Sequence, residues 1–241
     1  MQAFDNALPP PPETLSFFLP VRSGSQRVAC KNTKPFAGIA GGLLELKLRQ
    51  LLETQCCARI ILSTDDLRAM EIAASLKRPD RIFVVERPPE LCQSTTLVQD
   101  LINYVPTVVP SEHVFWLHAT APFVESTDYD AAAAGYFEAL AAGYDSLMSV
   151  TKFQKFLWSE ELGNVINFDR SKVLWPNTQD LTPLWEINHA FYISSRANFL
   201  NLHDRIGVNP KLWVLDASKS IDIDWEEDFL LAETLYKSRH P

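Results

Sequence analysis

The segment PVRSGSQRVACKN (residues 20–32) gathers Arg22, Arg27 and Lys31 around Gly24, which has a serine on each side. Lys34 follows, and no Asp or Glu occurs between Glu13 and Glu45. A loop of this composition can turn sharply at the glycine and aim backbone N–H groups near Ser23 and Ser25 at an anion, while its cations add charge-assisted hydrogen bonds. A polyphosphate would satisfy all of these groups together. Far along the chain, SIDIDWEEDF (220–229) places Asp222 and Asp224 two residues apart. On an extended segment two such carboxylates project to one side and can share a cation, and oxygen-rich ligation completed by phosphate and water suits Mg2+. A structural role competes at Asp224, because Glu227 follows three residues later at the start of a helical pattern, as in a capping arrangement.

These groups need a scaffold, and the chain alternates short β-branched or aromatic runs with helical patterns, the sequence form of a mainly parallel sheet covered by helices. SFFLPV is the first strand, and the cationic loop follows it directly, where open α/β sheets collect ligands. Leu44, Leu48, Leu51 and Leu52 then recur at helical spacing, with the polar residues expected mostly on the opposite side. RIILST with DDLRAMEIAASLK, RIFVVER with STTLVQDLINYV, and HVFWLHAT with DYDAAAAGYFEALAAG supply three further strand–helix units, in which early acidic residues suit helix N-termini. From SLMSVTKF onward the pattern loosens into an aromatic-rich insert over about 152–188. AFYISS and KLWVLDA restore strands, and DWEEDFLLAETLYKS closes the chain as a helix expected to pack back on the sheet.

Composition bounds the answer. With 241 residues, 46% hydrophobic and 22% charged, one main α/β domain over residues 15–241 is expected, behind a proline-rich tail over 1–14. A net charge of −8 argues against a nucleic-acid or anionic-membrane surface, so any bound anion must be met locally. Cys30, Cys56, Cys57 and Cys92 have no paired ligand spacing and read as free thiols of a reducing, cytoplasmic compartment. The loop matches neither GxxxxGK[ST] nor GxGxxG, so neither a P-loop NTPase nor a typical Rossmann dehydrogenase is supported.

The loop does resemble the opening motif hPxRxGSxRxxxKN of the acylneuraminate cytidylyltransferases, the CMP-sialic acid synthetase family, and matches it at every fixed position. The resemblance continues in order through STDD (63–66), ERPPEL (86–91), TAPF (120–123), TQDL (178–181) and SIDIDWEEDF. It implies a Rossmann-like nucleotidyltransferase fold with a small inserted dimerisation flap, and transfer of CMP from CTP to the anomeric hydroxyl of an acidic sugar with release of pyrophosphate. By the same resemblance Arg22, Ser25, Arg27 and Lys31 hold the triphosphate, Asn32 and Arg87 lie near the nucleoside, and Asp222 and Asp224 hold the catalytic metal. A homodimer built through the flap is also implied. Related readings are a transferase using 3-deoxy-octulosonate or another nucleotide, and a catalytically silent nucleotide-binding module.

Sequence departures fall mainly on the sugar side. HATAP replaces the more common QPTSP, which puts His118, beside Thr120, where it can meet the sugar or simply end a buried strand. No arginine precedes the Gln-Asp pair of TQDL to meet a sugar carboxylate, which leaves Lys152 and Gln179 as candidates. Ser94 and Thr95 replace a region that often carries aspartate and can bond the ribose or cap the following helix. His189 stands where many relatives have glycine. No general base is assigned.

Overall fold

A computed structural model describes residues 14–25 and 27–240. The proline-rich tail lies outside the described residues, apart from Thr14.

Seven strands form one sheet in the order β3-β2-β1-β4-β8-β5-β9. They are β1 (Leu15–Pro20), β2 (Arg59–Thr64), β3 (Ile82–Glu86), β4 (His113–Leu117), β5 (Ser146–Phe153), β8 (Leu184–Ser195) and β9 (Pro210–Val214). The pairings of β1 with β2 and β4, of β2 with β3 and of β5 with β9 are parallel, and β8 runs antiparallel to both β4 and β5. Helices α1 (Gly42–Leu52), α2 (Leu67–Ser75), α3 (Val98–Val108), α4 (Ser126–Ala141), α5 (Arg196–Asn201) and α6 (Glu226–Arg239) complete the α/β architecture. The short strands β6 (Trp158–Ser159) and β7 (Asn164–Val165) form a separate hairpin within the insert.

Burial on both faces of the sheet explains the near-continuous apolar strands SFFLP and RIILS. On one face Phe17, Phe115, Tyr129 and Phe191 interlock edge-on or tilted with ring centroids 5.1–5.9 Å apart, between the sheet and α4. Geometries of this kind add about 0.5–1.5 kcal/mol per pair beyond simple burial. The other face packs Phe18, Ile61, Trp116, Tyr192 and Phe199 under α3 and α5. The last helix does return to the core, where Phe229 meets Phe36 edge-on at 5.4 Å.

Several local expectations need correction. Helix α1 is not amphipathic in the expected way, because Leu46, Lys47 and Gln50 are buried along with the leucines. Lys47 points its ammonium at the Ala121 and Val124 carbonyls and the Tyr129 hydroxyl, at 2.8, 3.1 and 2.6 Å, so its polarity is used inside the core. Helix α3 starts at Val98, four residues after Ser94; the Asp100 carboxylate accepts from the Leu97 N–H, and neither Ser94 nor Thr95 caps it. Strand β8 begins at Leu184 rather than Ala190, and its outer half pairs with β5 as far as Phe153.

The register of β5 against β8 breaks between Met148 and Val150. Ser149 and Asn188 hold the break: Ser149 Oγ donates to Asn188 Oδ1 at 2.6 Å and accepts from the Phe191 N–H at 3.0 Å. The adjacent His189 has φ +56°, the left-handed region that costs an ordinary L-residue about 1 kcal/mol or more.

Candidate active site

The carboxyl ends of β1, β3 and β4 open into a cleft of about 390 Å³. Its polar lining comes from the loop after β1 (Arg22, Arg27, Lys31, Asn32), the end of β3 (Arg87), the end of β4 (His118, Thr120), His189 of β8, Arg205 after α5, and Asp222 with Asp224 before α6. Segments almost 200 residues apart in sequence thus meet in one place.

The loop is held from three directions. Val21 N–H donates to the Ser63 carbonyl at 3.0 Å, and the Ser23 N–H and hydroxyl both donate to the Asp65 carboxylate at 2.8 and 2.6 Å. Burial raises the Asp65 pKa, but the Ser23 bonds outweigh it and the group sits below the usual carboxylate range. Gly24 adopts φ +66°, as a sharp turn requires. Farther on, the Asn32 carbonyl accepts from the Leu44 N–H at 2.8 Å, satisfying one orphan donor of the α1 N-terminus.

Lys31 and Arg27 reach the acidic segment. The Lys31 ammonium donates to the Ile223 carbonyl and to Asp224 Oδ1 at 3.3 Å, and Arg27 Nη2 lies 2.8 Å from the same oxygen. The capping alternative for Asp224 fails: Asp228 accepts from the Asp224 and Trp225 N–H groups at 3.1 and 2.8 Å, which leaves the Asp224 side chain facing the cleft. Ile223 is fully buried, and its N–H donates to the Thr120 carbonyl at 3.1 Å, so the flanking aspartates are held at the cleft. Burial pushes the Asp222 carboxyl up; a bond from the Thr120 side chain opposes this, and the nearby Asp224 charge adds to it.

Arg22 Nη1 donates to the Cys92 carbonyl at 3.3 Å. Arg87 is buried and donates Nη2 to the Ser63 carbonyl at 2.7 Å, with Nε 3.3 Å from Ser63 Oγ. Its guanidinium therefore braces β2 as well as lining the cleft. Asn32 Oδ1 is buried with no hydrogen-bond partner among the described residues, an acceptor awaiting a donor.

At the other end Trp116 Nε1 donates to His118 Nε2 at 3.1 Å, which places the His118 proton on Nδ1. Burial, then the positive fields of Arg205, His189 and Lys31, hold His118 down to about 3. It is neutral at physiological pH, and its lone pair is already engaged, which disfavours a role as general base. His189 Nδ1 lies 2.8 Å from the Tyr192 hydroxyl.

The remaining sequence candidates lie elsewhere in their own chain. Ser23, Gly24 and Ser25 shape the loop but do not line the cleft, and Ser94 and Thr95 are exposed before α3. Lys152 sits on β5 opposite Trp185, and Gln179 lies in a short 3-10 turn whose carbonyl accepts from Gln154. Both belong to the insert, outside the cleft. Sequence reasoning missed Arg205: HDRIGVN carries no motif, and its placement depends on β8 returning antiparallel between β4 and β5.

A cationic, glycine-turned loop at the end of the first strand, sharing a cleft with paired carboxylates on an α/β sheet, is an arrangement suited to a nucleotidyltransferase. The family model of the cytidylyltransferases matches residues 17–236, and the chain belongs to that family. Two curated relatives are each 25% identical. A CMP-N,N'-diacetyllegionaminic acid synthase of Legionella pneumophila aligns over 90% of this chain and 94% of its own length. An N-acylneuraminate cytidylyltransferase of Escherichia coli aligns over 92% of this chain, which spans about half (52%) of that longer protein. A solved CMP:2-keto-3-deoxy-manno-octonic acid synthetase complexed with CTP shares the fold, with a TM-score of 0.68 and 14% identity over 93% of this chain and 99% of its own. A 4-diphosphocytidyl-2C-methyl-D-erythritol synthase from Anaerococcus prevotii also shares it, at 0.58 and 15% over 92% and 98%.

Proposed function

We propose that this cytidylyltransferase moves CMP from CTP to the anomeric hydroxyl of an acidic sugar, a sialic or related nonulosonic acid, and releases pyrophosphate. The observation that carries the reading is the shared cleft of Arg22, Arg27 and Lys31 with Asp222 and Asp224. The names of the two curated relatives support an acidic nonulosonic acceptor.

In this reading the sugar oxygen forms a bond to the α-phosphorus, the bond from that phosphorus to the pyrophosphate oxygen breaks, and the hydroxyl proton passes to solvent. Arg22, Arg27 and Lys31 replace the water around the triphosphate and neutralise charge on the departing pyrophosphate. Asn32 offers its unpaired Oδ1 to a donor of the nucleoside, such as an exocyclic amine. Thr120 orients Asp222, and the fixed positions of both substrates supply alignment.

Asp222 and Asp224 fit Mg2+: two hard carboxylates face one cleft, and Asp224 is balanced by Arg27 and Lys31, cations that a triphosphate can draw away. When bound, the ion would polarise phosphate oxygens and help align them.

The exposed Trp158, Leu162, Ile166, Leu174 and Trp175 of the insert favour a homodimer closing over the flap. We assign a cytoplasmic site of action, where CTP is supplied and the four cysteines, free in the structure, stay reduced.

The test is pyrophosphate release with each of four nucleoside triphosphates against sialic, legionaminic, pseudaminic and 3-deoxy-octulosonic acids. Release with CTP and a nonulosonic acid is expected. Release only with the octulosonic acid would move the acceptor class, and CTP binding without release from any pair would mark a silent module.

A further inference from the structure

Arg205 is a half-buried cation that lines the cleft and makes no ion pair or hydrogen bond among the described residues. Every other basic residue in the lining is already tied. Arg27 and Lys31 pair with Asp224, Arg22 bonds the Cys92 carbonyl and Arg87 bonds Ser63. What positions Arg205 instead is aromatic: its guanidinium carbon lies 4.0 Å from the centroid of the Tyr192 ring and 5.0 Å from that of Trp116. Such contacts engage the face of a planar guanidinium and leave its edge donors available for a second partner.

The surroundings restrict what that partner can be. Trp116 and Tyr192 are themselves fixed by bonds to His118 and His189, so the wall beneath Arg205 is pre-ordered. Arg205 carries the permanent charge on this wall. An unpaired, partly desolvated guanidinium on a rigid wall is suited to a planar carboxylate, which it can hold through two parallel N–H···O bonds. It also lies at the β4–β8 end of the cleft, on different elements from the cationic loop. The two candidates that sequence offered for a sugar carboxylate, Lys152 and Gln179, do not reach this cleft in their own chain.

We propose that Arg205, seated on Tyr192 and Trp116, receives the carboxylate of the acceptor sugar and thereby selects acidic acceptors. This rests on the transferase reading above, and the same chemistry could be offered by a phosphate of CTP, so the experiment has an arm for each.

The steady-state KM of each substrate is measured for the wild-type enzyme, Arg205→Met and Arg205→Lys, using the acceptor that supports pyrophosphate release and its carboxyl methyl ester. For Arg205→Met, KM for the free acid should rise about 10- to 100-fold, the usual size of a lost charge-assisted interaction. KM for CTP should change less than about 2-fold, which also shows that the variant is folded. Preference for acid over ester should collapse in Arg205→Met and be partly restored in Arg205→Lys, which keeps charge but not the fork. An increase in KM confined to CTP would assign Arg205 to the nucleotide and overturn the inference. Unchanged discrimination in an Arg205→Met enzyme that turns over normally would also overturn it. Absence of release by the wild-type enzyme with every acidic acceptor would instead remove the transferase reading and this inference with it.

Discussion

Lys31 and Asp224, 193 residues apart in sequence, meet with Nζ 3.3 Å from Oδ1, and Arg27 closes on the same carboxylate oxygen at 2.8 Å. The pairing ties the first loop of the sheet to the segment before the last helix. It also leaves two cations and one carboxylate of the cleft in mutual balance.

Replacing Lys31 with methionine removes this tie and, in the proposed reaction, a contact to the triphosphate. We expect kcat/KM for CTP to fall about 10- to 100-fold, as for loss of a charged hydrogen bond. Much of the loss should appear as KM for CTP rather than for the sugar. Equal loss in both KM values would place Lys31 outside the triphosphate site.

Asp222→Asn should reduce turnover at least about 100-fold at saturating Mg2+ and leave the fold intact. The Asp222 pKa is raised in the fold by burial, so its ionised form is disfavoured there relative to the unfolded chain. Removing that charge should leave the melting temperature at pH 7 unchanged or slightly higher. Near-normal turnover would take Asp222 out of the metal site.

Gly42 has φ +62°, and a Cβ there would lie 2.0 Å from the Lys34 carbonyl oxygen. Gly42→Ala must therefore push the cationic loop off the start of α1. A loss of several kcal/mol of stability is expected, from strain of roughly 1–3 kcal/mol together with the clash. Urea melts would read it, and any folded fraction should bind CTP more weakly. An alanine variant of wild-type stability would contradict this packing.

Burial lowers the Lys47 pKa to about 7 in the fold, against an ordinary value of 10.5. Between those values the unfolded chain binds more protons than the native one, so the Lys47 contribution makes stability rise with pH across that window; below about pH 7 both states are charged. Lys47→Met should abolish that slope. It should also cost about 1–3 kcal/mol by stranding the Ala121, Val124 and Tyr129 acceptors. Chemical denaturation of both proteins at several pH values from 6.5 to 10.5 measures the difference, and parallel curves would show that Lys47 does not titrate in this range.

The strands were legible where local composition decides the outcome. RIILST coincides with β2, because a strand buried in a parallel sheet needs a near-continuous apolar and β-branched run. SLMSVTKF, where the pattern loosens, is instead β5, its serines and lysine breaking the apolar run. Helix α3 was misplaced because Ser94 and Thr95 resemble caps, whereas the preceding turn takes up Thr96, whose hydroxyl donates to the Glu90 carbonyl at 2.9 Å. The six residues of α5 are too few to show a period. On the site side, the cationic loop and the aspartate pair could be read because each is contiguous. Arg205 could not, since its partners Trp116 and Tyr192 come from two strands that neighbour each other only in three dimensions.

The twelve residues of β8 lead from the insert into the sheet as one strand, with its register against β5 broken beside His189. One ribbon therefore serves as handle and blade. Trp185 of the insert and Tyr192, the seat of Arg205, thus share one strand, whereas Lys31 belongs to the loop after β1. In the proposed reaction the acceptor and the nucleotide would then be held by separate elements of the sheet.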